Sequence, residues 1–347
     1  MKNTKINLQL LAYDPQEQPD SYTGATGLSA EMKTFYDMRL IDEASPMLVH
    51  EQFGQKRPIP KGNGKTVSFR RFSPLGKATT ALTEGVTPSG SSLSVLNVNA
   101  TVAQYGDFVV QSDVLELTAV DNTILEATKL LGRQAGLTMD TIVRNALLLG
   151  TNKSYASKWA KNSDGDLVET EVTSAADLDK TATLKVDTVH RVVAKLRAQN
   201  APTINGDYVC IIHPYVAYDL MRDPEWVDAH KYAAPENLYT GEIGKMCGVR
   251  FVQSTEAKID KGTSGLPTGL AVFHCLFIGD GAYGVTEVTG GGLQTIVKQK
   301  GSAGTADPLD QRSSVGWKGM KTAKILVDNY LVDLMCCSKF SSTATAN

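Results

Sequence analysis

Apolar residues recur at helical spacing from Asp121 to Gly150, where Ile124, Ala127, Leu131, Ala135, Ile142, Ala146 and Leu149 fall on one stripe. This predicts one long helix spanning roughly 40 Å, at a rise of ~1.5 Å per residue. Asp121 and Asn122 are candidate caps, Thr123 and Glu126 stand at capping-box spacing, and Gly150 offers a left-handed stop. Two internal glycines, Gly132 and Gly136, weaken the helix. The same period marks Ser29 to Asp42 (Met32, Phe35, Met38, Ile41) and Leu184 to Gln199 (Val186, Val189, Val193, Leu196). A period of two sets Leu96, Val98, Ala100 and Val102 against Asn97, Asn99 and Thr101, a half-buried strand. Thr66 to Phe72 reads as another, with Val67 and Phe69 on one face. Buried strands are predicted at Tyr208–Ile212, Val249–Val252 and Ala271–Ile278, and a short helix at Pro214–Met221. Leu293–Val297 is expected to pair with Gly284–Val288 across three glycines. Lys324–Cys337 reads as one strand or two, closing the chain onto its first lobe.

The polar stretches carry as much information. Residues 1 to about 30 read as an arm with no core of its own. Between the strands at 66–72 and 96–102 lie about twenty residues, Ser73 to Ser94, dominated by Gly, Ser, Thr and Pro. Loops that long are uncommon inside compact domains and are usually functional. Two strands with such a tip make a projecting hairpin, which finds burial only on another subunit. Lys56, Arg57, Lys61, Lys65, Arg70, Arg71 and Lys77 fall in its first limb with no acidic residue among them. A nucleic-acid patch is one reading. Pairing with acidic residues of a neighbour is preferred, because a projecting loop needs directional contacts to fix its register. Lys56, Arg57, Lys65, Arg70, Arg71, Lys77 and Glu84 are therefore the candidate inter-subunit contacts. Lys153 to Lys180 reads as a linker or surface excursion.

At 347 residues the chain exceeds one compact core, which implies two lobes or one lobe with large excursions. Hydrophobic content of 42% and charged content of 21% fit a folded protein. A formal net charge of -2 gives no global attraction to nucleic acid. Cys210, Cys247, Cys275, Cys336 and Cys337 form no C-x-x-C pair, and their odd number fits a reducing compartment. No signal peptide or membrane span is visible, so a soluble cytosolic protein is expected.

Candidate chemistry is sparse. Gly62-Asn63-Gly64-Lys65-Thr66 imitates half of a phosphate loop, but Ile59 stands where the first glycine belongs and a strand follows instead of a helix. A turn is the better account. His50, His190, His213, His230 and His274 show no metal-ligand spacing. His213 is placed to begin a helix, and His274 and Cys275, as neighbours in a strand, point to opposite faces. Asp223-Pro224-Glu225-Trp226-Val227-Asp228 reads as a solvated loop rather than an acid/base site, and Gly301–Gly304 as a connector. No catalytic, cofactor or metal residue is assigned.

Several phrases in order resemble one family. Lys65-Thr-Val-Ser-Phe-Arg-Arg71, Leu82-Thr-Glu-Gly-Val-Thr-Pro88, and Ala103-Gln-Tyr-Gly-Asp-Phe108 leading into Leu115-Glu-Leu-Thr118 are similar to major capsid proteins of tailed bacteriophages. The branch most resembled is that of the coliphage N-four coat protein. His213-Pro-Tyr-Val-Ala-Tyr-Asp-Leu220 with Arg222-Asp-Pro-Glu-Trp-Val-Asp228, and Asp307-Pro-Leu-Asp-Gln-Arg312 into Val315-Gly-Trp-Lys318, continue the likeness. The resemblance implies an α+β fold, the tailed-phage and herpesvirus capsid fold of the Hong Kong ninety-seven type. Its parts would be an N-terminal arm (1–54), an extended loop (55–105), a peripheral domain with the spine helix (106–180) and an axial domain (181–300). C-terminal strands (301–347) would return to the peripheral domain. It further implies a non-enzymatic protein that assembles with itself into hexamers and pentamers around double-stranded DNA, with scaffolding, portal and decoration proteins as further partners. No scaffolding segment is visible in the chain, and no local motif makes Lys77 a cross-linking lysine. An encapsulin-like compartment shell is the alternative within the fold. A soluble α/β enzyme is the alternative outside it.

Overall fold

The computed structural model describes residues 30–44, 48–73, 75–82, 84, 85, 87, 90–118, 123–233, 243–263, 265–289, 291–302 and 307–347, leaving aside the side chains of 30–35, 116 and 229–233. The expected arm over 1–29, the caps Asp121 and Asn122 and half of the Gly301–Gly304 connector lie outside these residues. The described chain forms α1 (Ala30–Ala44), β1 (Gln55–Lys56), β2 (Thr66–Phe72), β3 (Val95–Thr101), β4 (Ala103–Ser112), α2 (Asp113–Thr118) and α3 (Thr123–Leu147). It continues through β5 (Lys153–Tyr155), β6 (Lys158–Lys161), β7 (Leu167–Thr170), α4 (Val186–Ala198), β8 (Tyr208–Ile212), α5 (Pro214–Met221) and α6 (Pro224–Ala233). The last elements are β9 (Lys245–Met246), β10 (Val249–Gln253), β11 (Ile259–Lys261), β12 (Ala271–Ile278), β13 (Tyr283–Glu287), β14 (Gln294–Lys298), β15 (Arg312–Ile325) and β16 (Leu331–Cys336).

Two compact units result. The smaller gathers the described parts of Met1–Glu43, Gly106–Arg133 and Leu293–Lys318, and the larger those of Ala44–Tyr105, Gln134–Gly292 and Gly319–Asn347. The larger unit is built on a mixed sheet in the order β5-β16-β12-β8-β10-β9, with β11 also paired to β12. Both faces of this sheet are covered, and that is why β8, β12 and β16 are unbroken apolar runs rather than alternating ones. Cys210, Ile212, Phe273, Phe277 and Leu334 share one core with Val189, Val193 and Leu196 of α4. Val209, Ile211, Leu276 and Ile278 share the opposite core with Val143 and Leu147 of α3.

The long helix has the expected extent, but its buried stripe runs Ala127, Leu131, Ala135, Met139, Val143, Leu147, and Leu149 is exposed. Gly150 does not turn left-handed. Its want of a side chain serves space instead, since a Cβ there would lie 3.1 Å from Asp328 Oδ1. Gly132 is likewise a close approach, where a Cβ would lie 3.0 Å from the Leu40 carbonyl oxygen. In α1 the buried residues are Leu40 and Ala44, whereas Met38 and Ile41 face outward, so the stripe is rotated from the one the spacing suggested.

Of the two readings of Lys153–Lys180, the surface excursion is the one observed: the stretch carries β5 and a largely exposed antiparallel hairpin of β6 and β7. Two further expectations are corrected. Asp223–Asp228 opens α6, with the Asp223 carboxylate accepting from Glu225 N at 3.2 Å and Trp226 buried. The proline at the first helical turn and the acidic cap before it are the reason. β13 and β14 do not pair with each other; each pairs with a different stretch of β15, Lys321–Ile325 and Ser314–Lys318 respectively. β16 lies between β5 and β12 in the larger unit's sheet, and its Leu331 shares a core with Val143 and Leu147 of α3. Gly62 and Gly64 do form the expected turn, both at positive φ, and His213 does cap α5 by accepting from Tyr215 N at 3.1 Å.

One buried ionic group ties three strands of that sheet. His274 on β12 sits 3.0 Å from both oxygens of Asp333 on β16, and 3.1 Å from Asp260 on β11, which also meets Lys258 at 3.4 Å. Burial opposes a charge on this imidazole, yet the hydrogen bonds to Asp260 and Asp333 prevail and raise His274 from 6.5 to about 9. A raised folded value stabilises fully below the unfolded value, and that stabilisation is lost as pH climbs through about 9. Urea denaturation should show stability falling by on the order of 3 kcal/mol as pH rises through this window, and His274→Asn should lack that slope.

Candidate assembly interface

The hairpin of β2 and β3 is antiparallel in register from Thr66 opposite Thr101 to Phe72 opposite Val95. Its root is fixed by a chain of contacts within the larger unit. Asp140 on α3 is fully buried, and its Oδ1 accepts from Val49 N at 2.9 Å and His50 N at 2.7 Å. Its Oδ2 lies 2.6 Å from His50 Nδ1. The Tyr283 hydroxyl donates to the His50 carbonyl, and Lys321 pairs with Glu51. Burial pushes the Tyr283 phenol well above its usual range, so it remains a donor. β1 then runs parallel to β13, delivering the chain into the hairpin. Phe69, only 3% exposed, lies against Gly284 of β13, where a Cβ would come within 2.6 Å of its ring.

Away from the root this burial fades. Ala100 and Val102 are buried and Val98 is half-buried, but Leu96 is 51% and Phe72 61% exposed. The ladder closes with Ser73 N donating to Ser94 O at 3.0 Å, and among the described residues beyond it there is no helix or strand. Leu75, Leu82 and Leu93 stand in solvent there. The half-buried strand expected at 96–102 is thus buried at one end and bare at the other.

The sequence-predicted contacts are not brought to one spot. Lys56 at the root lies 3.7 Å from Glu51, and Arg57 Nη1 donates to Ser68 O at 3.0 Å. Arg70 and Arg71 point to opposite faces of β2, as strand neighbours must. Lys65 stands at the start of β2, while Lys77 and Glu84 are exposed near the tip. The smaller unit holds surface that the pattern did not flag: Phe108 and Val110 of β4, and Val114 and Leu117 of α2, are all exposed. Their unalternated run, Phe108-Val109-Val110, was the available signal.

Among the described residues no group of three His, Cys, Asp or Glu side chains is placed to hold a metal. Cys247 Sγ and His190 Nε2 meet at 3.2 Å, a pair the sequence did not suggest, but burial and then the Glu225 carboxylate push that thiol upward, away from a thiolate. Among the described residues no helix is long and apolar enough to cross a membrane.

The arrangement of long helix, projecting hairpin and sheet-centred lobe is the Hong Kong ninety-seven type of capsid fold. In fold the chain is similar to the capsid of cyanophage P-SCSP1u, with a TM-score of 0.62, 14% identity, and 84% of this chain and 89% of that one covered. It is also similar to the capsid of Ralstonia phage GP4 (TM-score 0.60, 16% identity, 83% and 87% covered). A third likeness is to the cyanophage Pam1 capsid (TM-score 0.62, 13% identity, 95% and 99% covered). No curated protein sequence matches the chain. The model of a family described as phage capsid protein matches residues 96–331, and the chain belongs to that family. It is a major capsid protein of a tailed phage, a structural component of the virion and not an enzyme.

The root contact can be probed separately from the tip. Gly284→Val should displace Phe69 and lower stability in urea by ~1–3 kcal/mol. It should also speed tryptic cleavage at Arg70 and Arg71. Leu82→Ser, at an exposed tip position, should leave stability within ~0.5 kcal/mol.

Proposed function

We propose that copies of this chain join as hexamers and pentamers into an icosahedral head around double-stranded DNA, each laying its β2–β3 hairpin across a neighbour. The observation that carries this is the burial gradient along the hairpin, from Phe69 in the core to Leu75, Leu82 and Leu93 in solvent. Covering one leucine is worth ~1.5–3 kcal/mol, so a hairpin end that covers none of its own has much to gain from a neighbour. A single sequence that must meet neighbours in several settings does so through repeated heterologous contacts. Lys56, Arg57, Lys65, Arg70, Arg71, Lys77 and Glu84 then serve as directional contacts spread along the hairpin rather than as one patch.

In this reading residues 55–105 supply the extended loop, 106–180 the peripheral domain with the spine helix α3, and 181–300 the axial domain, with the strands of 301–347 returning to the peripheral domain. The low net charge suits an inner wall that touches packaged DNA without gripping it, because strong basic patches would bind the duplex by counterion release. The ordered phrases from Lys65 to Lys318 support placement in the N-four-type branch. Assembly in the cytoplasm of the bacterial host follows, with scaffolding, portal and decoration proteins as further partners. The fold is also similar to a virus-like particle from Pyrococcus furiosus, at a TM-score of 0.50 and 9% identity. This keeps an encapsulin-like compartment as the second reading, and the contents of purified particles, DNA or enzyme cargo, decide between them.

Deleting residues 75–92 should leave a soluble, folded monomer by circular dichroism and sedimentation, and no shells by electron microscopy. Particles of normal size from the deletion would overturn the hairpin's role.

A further inference from the structure

The larger unit carries a second pair of matching features, away from the β2–β3 hairpin. One is a cleft of about 580 Å³ lined by Lys185, Tyr218, Asp219, Arg222, Lys339 and Phe340, among others. Its carboxylates are already engaged. Asp219 accepts from Lys339 N at 2.9 Å, and Asp223, also in the lining, accepts from Val186 N at 3.0 Å. Lys185 is paired with Glu169 at 3.2 Å. Arg222 and Lys339 are exposed and have no carboxylate within ion-pair distance among the described residues. Arg222 is nevertheless held in place, bonded to the Tyr218 hydroxyl and lying 5.3 Å over its ring. Phe340, exposed and stacked at 4.5 Å on Tyr215, forms an apolar wall.

The other feature is the β6–β7 hairpin. Its base is anchored by Trp159, whose ring lies 4.6 Å beneath Lys185 Nζ and whose N–H donates to Thr181 Oγ1 at 2.9 Å. Its tip is a closed turn in which Asn162 Oδ1 accepts from Asp164 N at 3.0 Å and Asp166 N at 2.8 Å. Asp164 and Asp166 are exposed there, followed by exposed Leu167 and Val168. The extended strand sets this tip ~10 Å beyond Trp159. No residue of 160–168 lines the cleft of its own chain.

We propose that the Asp164–Asp166 tip of one copy seats in the Arg222–Lys339 cleft of a second copy. The tip presents two exposed carboxylates on a turn whose backbone is fixed, and the cleft presents two exposed cations that feel Asp219 but lie beyond ion-pair distance of it. Leu167 and Val168 would cover Phe340 and Tyr218. Tip and cleft are different surfaces of one unit, so the contact is heterologous, and repeated around an axis it closes a ring. Charge pairs of this kind fix register and select the right neighbour. The inference rests on the shell-forming reading above and assigns to it a specific contact within the ring.

The test is a charge exchange. Asp164→Lys with Asp166→Lys, and separately Arg222→Glu with Lys339→Glu, should each lower ring and shell yield by roughly tenfold or more, with folding unchanged by circular dichroism. Combining all four substitutions should restore assembly. Wild-type yield from either pair alone, or no recovery in the combination, overturns the contact. If a reversed variant fails to fold, Asp→Asn and Arg/Lys→Gln variants at the same positions form a mutant cycle, in which zero coupling overturns it. Wild-type protein that forms no shells under the same conditions counts instead against the assembly reading, and with it this contact.

Discussion

A buried carboxylate holds the chain at the point where the body of the larger unit gives way to its hairpin. Asp140 lies inside α3 with no access to water, and a charge in that position must be met by donors. The donors are two successive backbone N–H groups and an imidazole, all from Val49 and His50. Tyr283 and Lys321 fasten the same short segment from β13 and β15. Residues 55–105 leave from this knot, so the aim of the hairpin is set by a contact with the long helix together with the seat of Phe69 at the hairpin's own root. Strand pairing alone leaves a two-stranded ribbon marginal in water. Phe69 in its glycine-lined seat and the Asp140 knot supply what the ribbon lacks.

Much of this was legible in the residue pattern. β2, β8, α5 and β12 have the bounds that their spacing indicated, because each combines a clear period with a local stop signal. The projecting hairpin was legible for a different reason: a Gly/Ser/Thr/Pro tip between two alternating strands has no core of its own to join. What escaped is mostly polar and distant in sequence. Asp140 and His50 are 90 positions apart, and Asp333 and His274 are 59 apart, so no local rule links them. The direction of the α1 stripe escaped because Met38 and Ile41 look like core on composition yet stand exposed. The pairing of β13 and β14 was misjudged because a glycine turn between two strands suggests a hairpin, while a later strand, β15, took both partners.

Similar physics explains why so little identity preserves this fold. The sheet of the larger unit demands apolar residues on both faces and little else, which many sequences satisfy at once. The identities of 13–16% to the cyanophage and Ralstonia phage capsids show the fold, while membership of the family comes from the match over 96–331. That matched stretch includes α3, the whole of β15 and every strand of the larger unit's sheet but β16, and it starts after the tip of the hairpin.

The placement of the thiols has a consequence for what a finished particle can endure. Cys210, Cys275, Cys336 and Cys337 are sealed within the larger unit, and the one close pair, Cys275 and Cys336, meets at 3.7 Å inside the sheet. Cys247 alone among the thiols is half-open, and it faces His190 rather than another cysteine. A subunit built this way presents no exposed pair of its own thiols for an outside oxidant to join. An oxidant in the medium therefore meets Cys247 before any other thiol, and Cys275 with Cys336 only once the sheet opens.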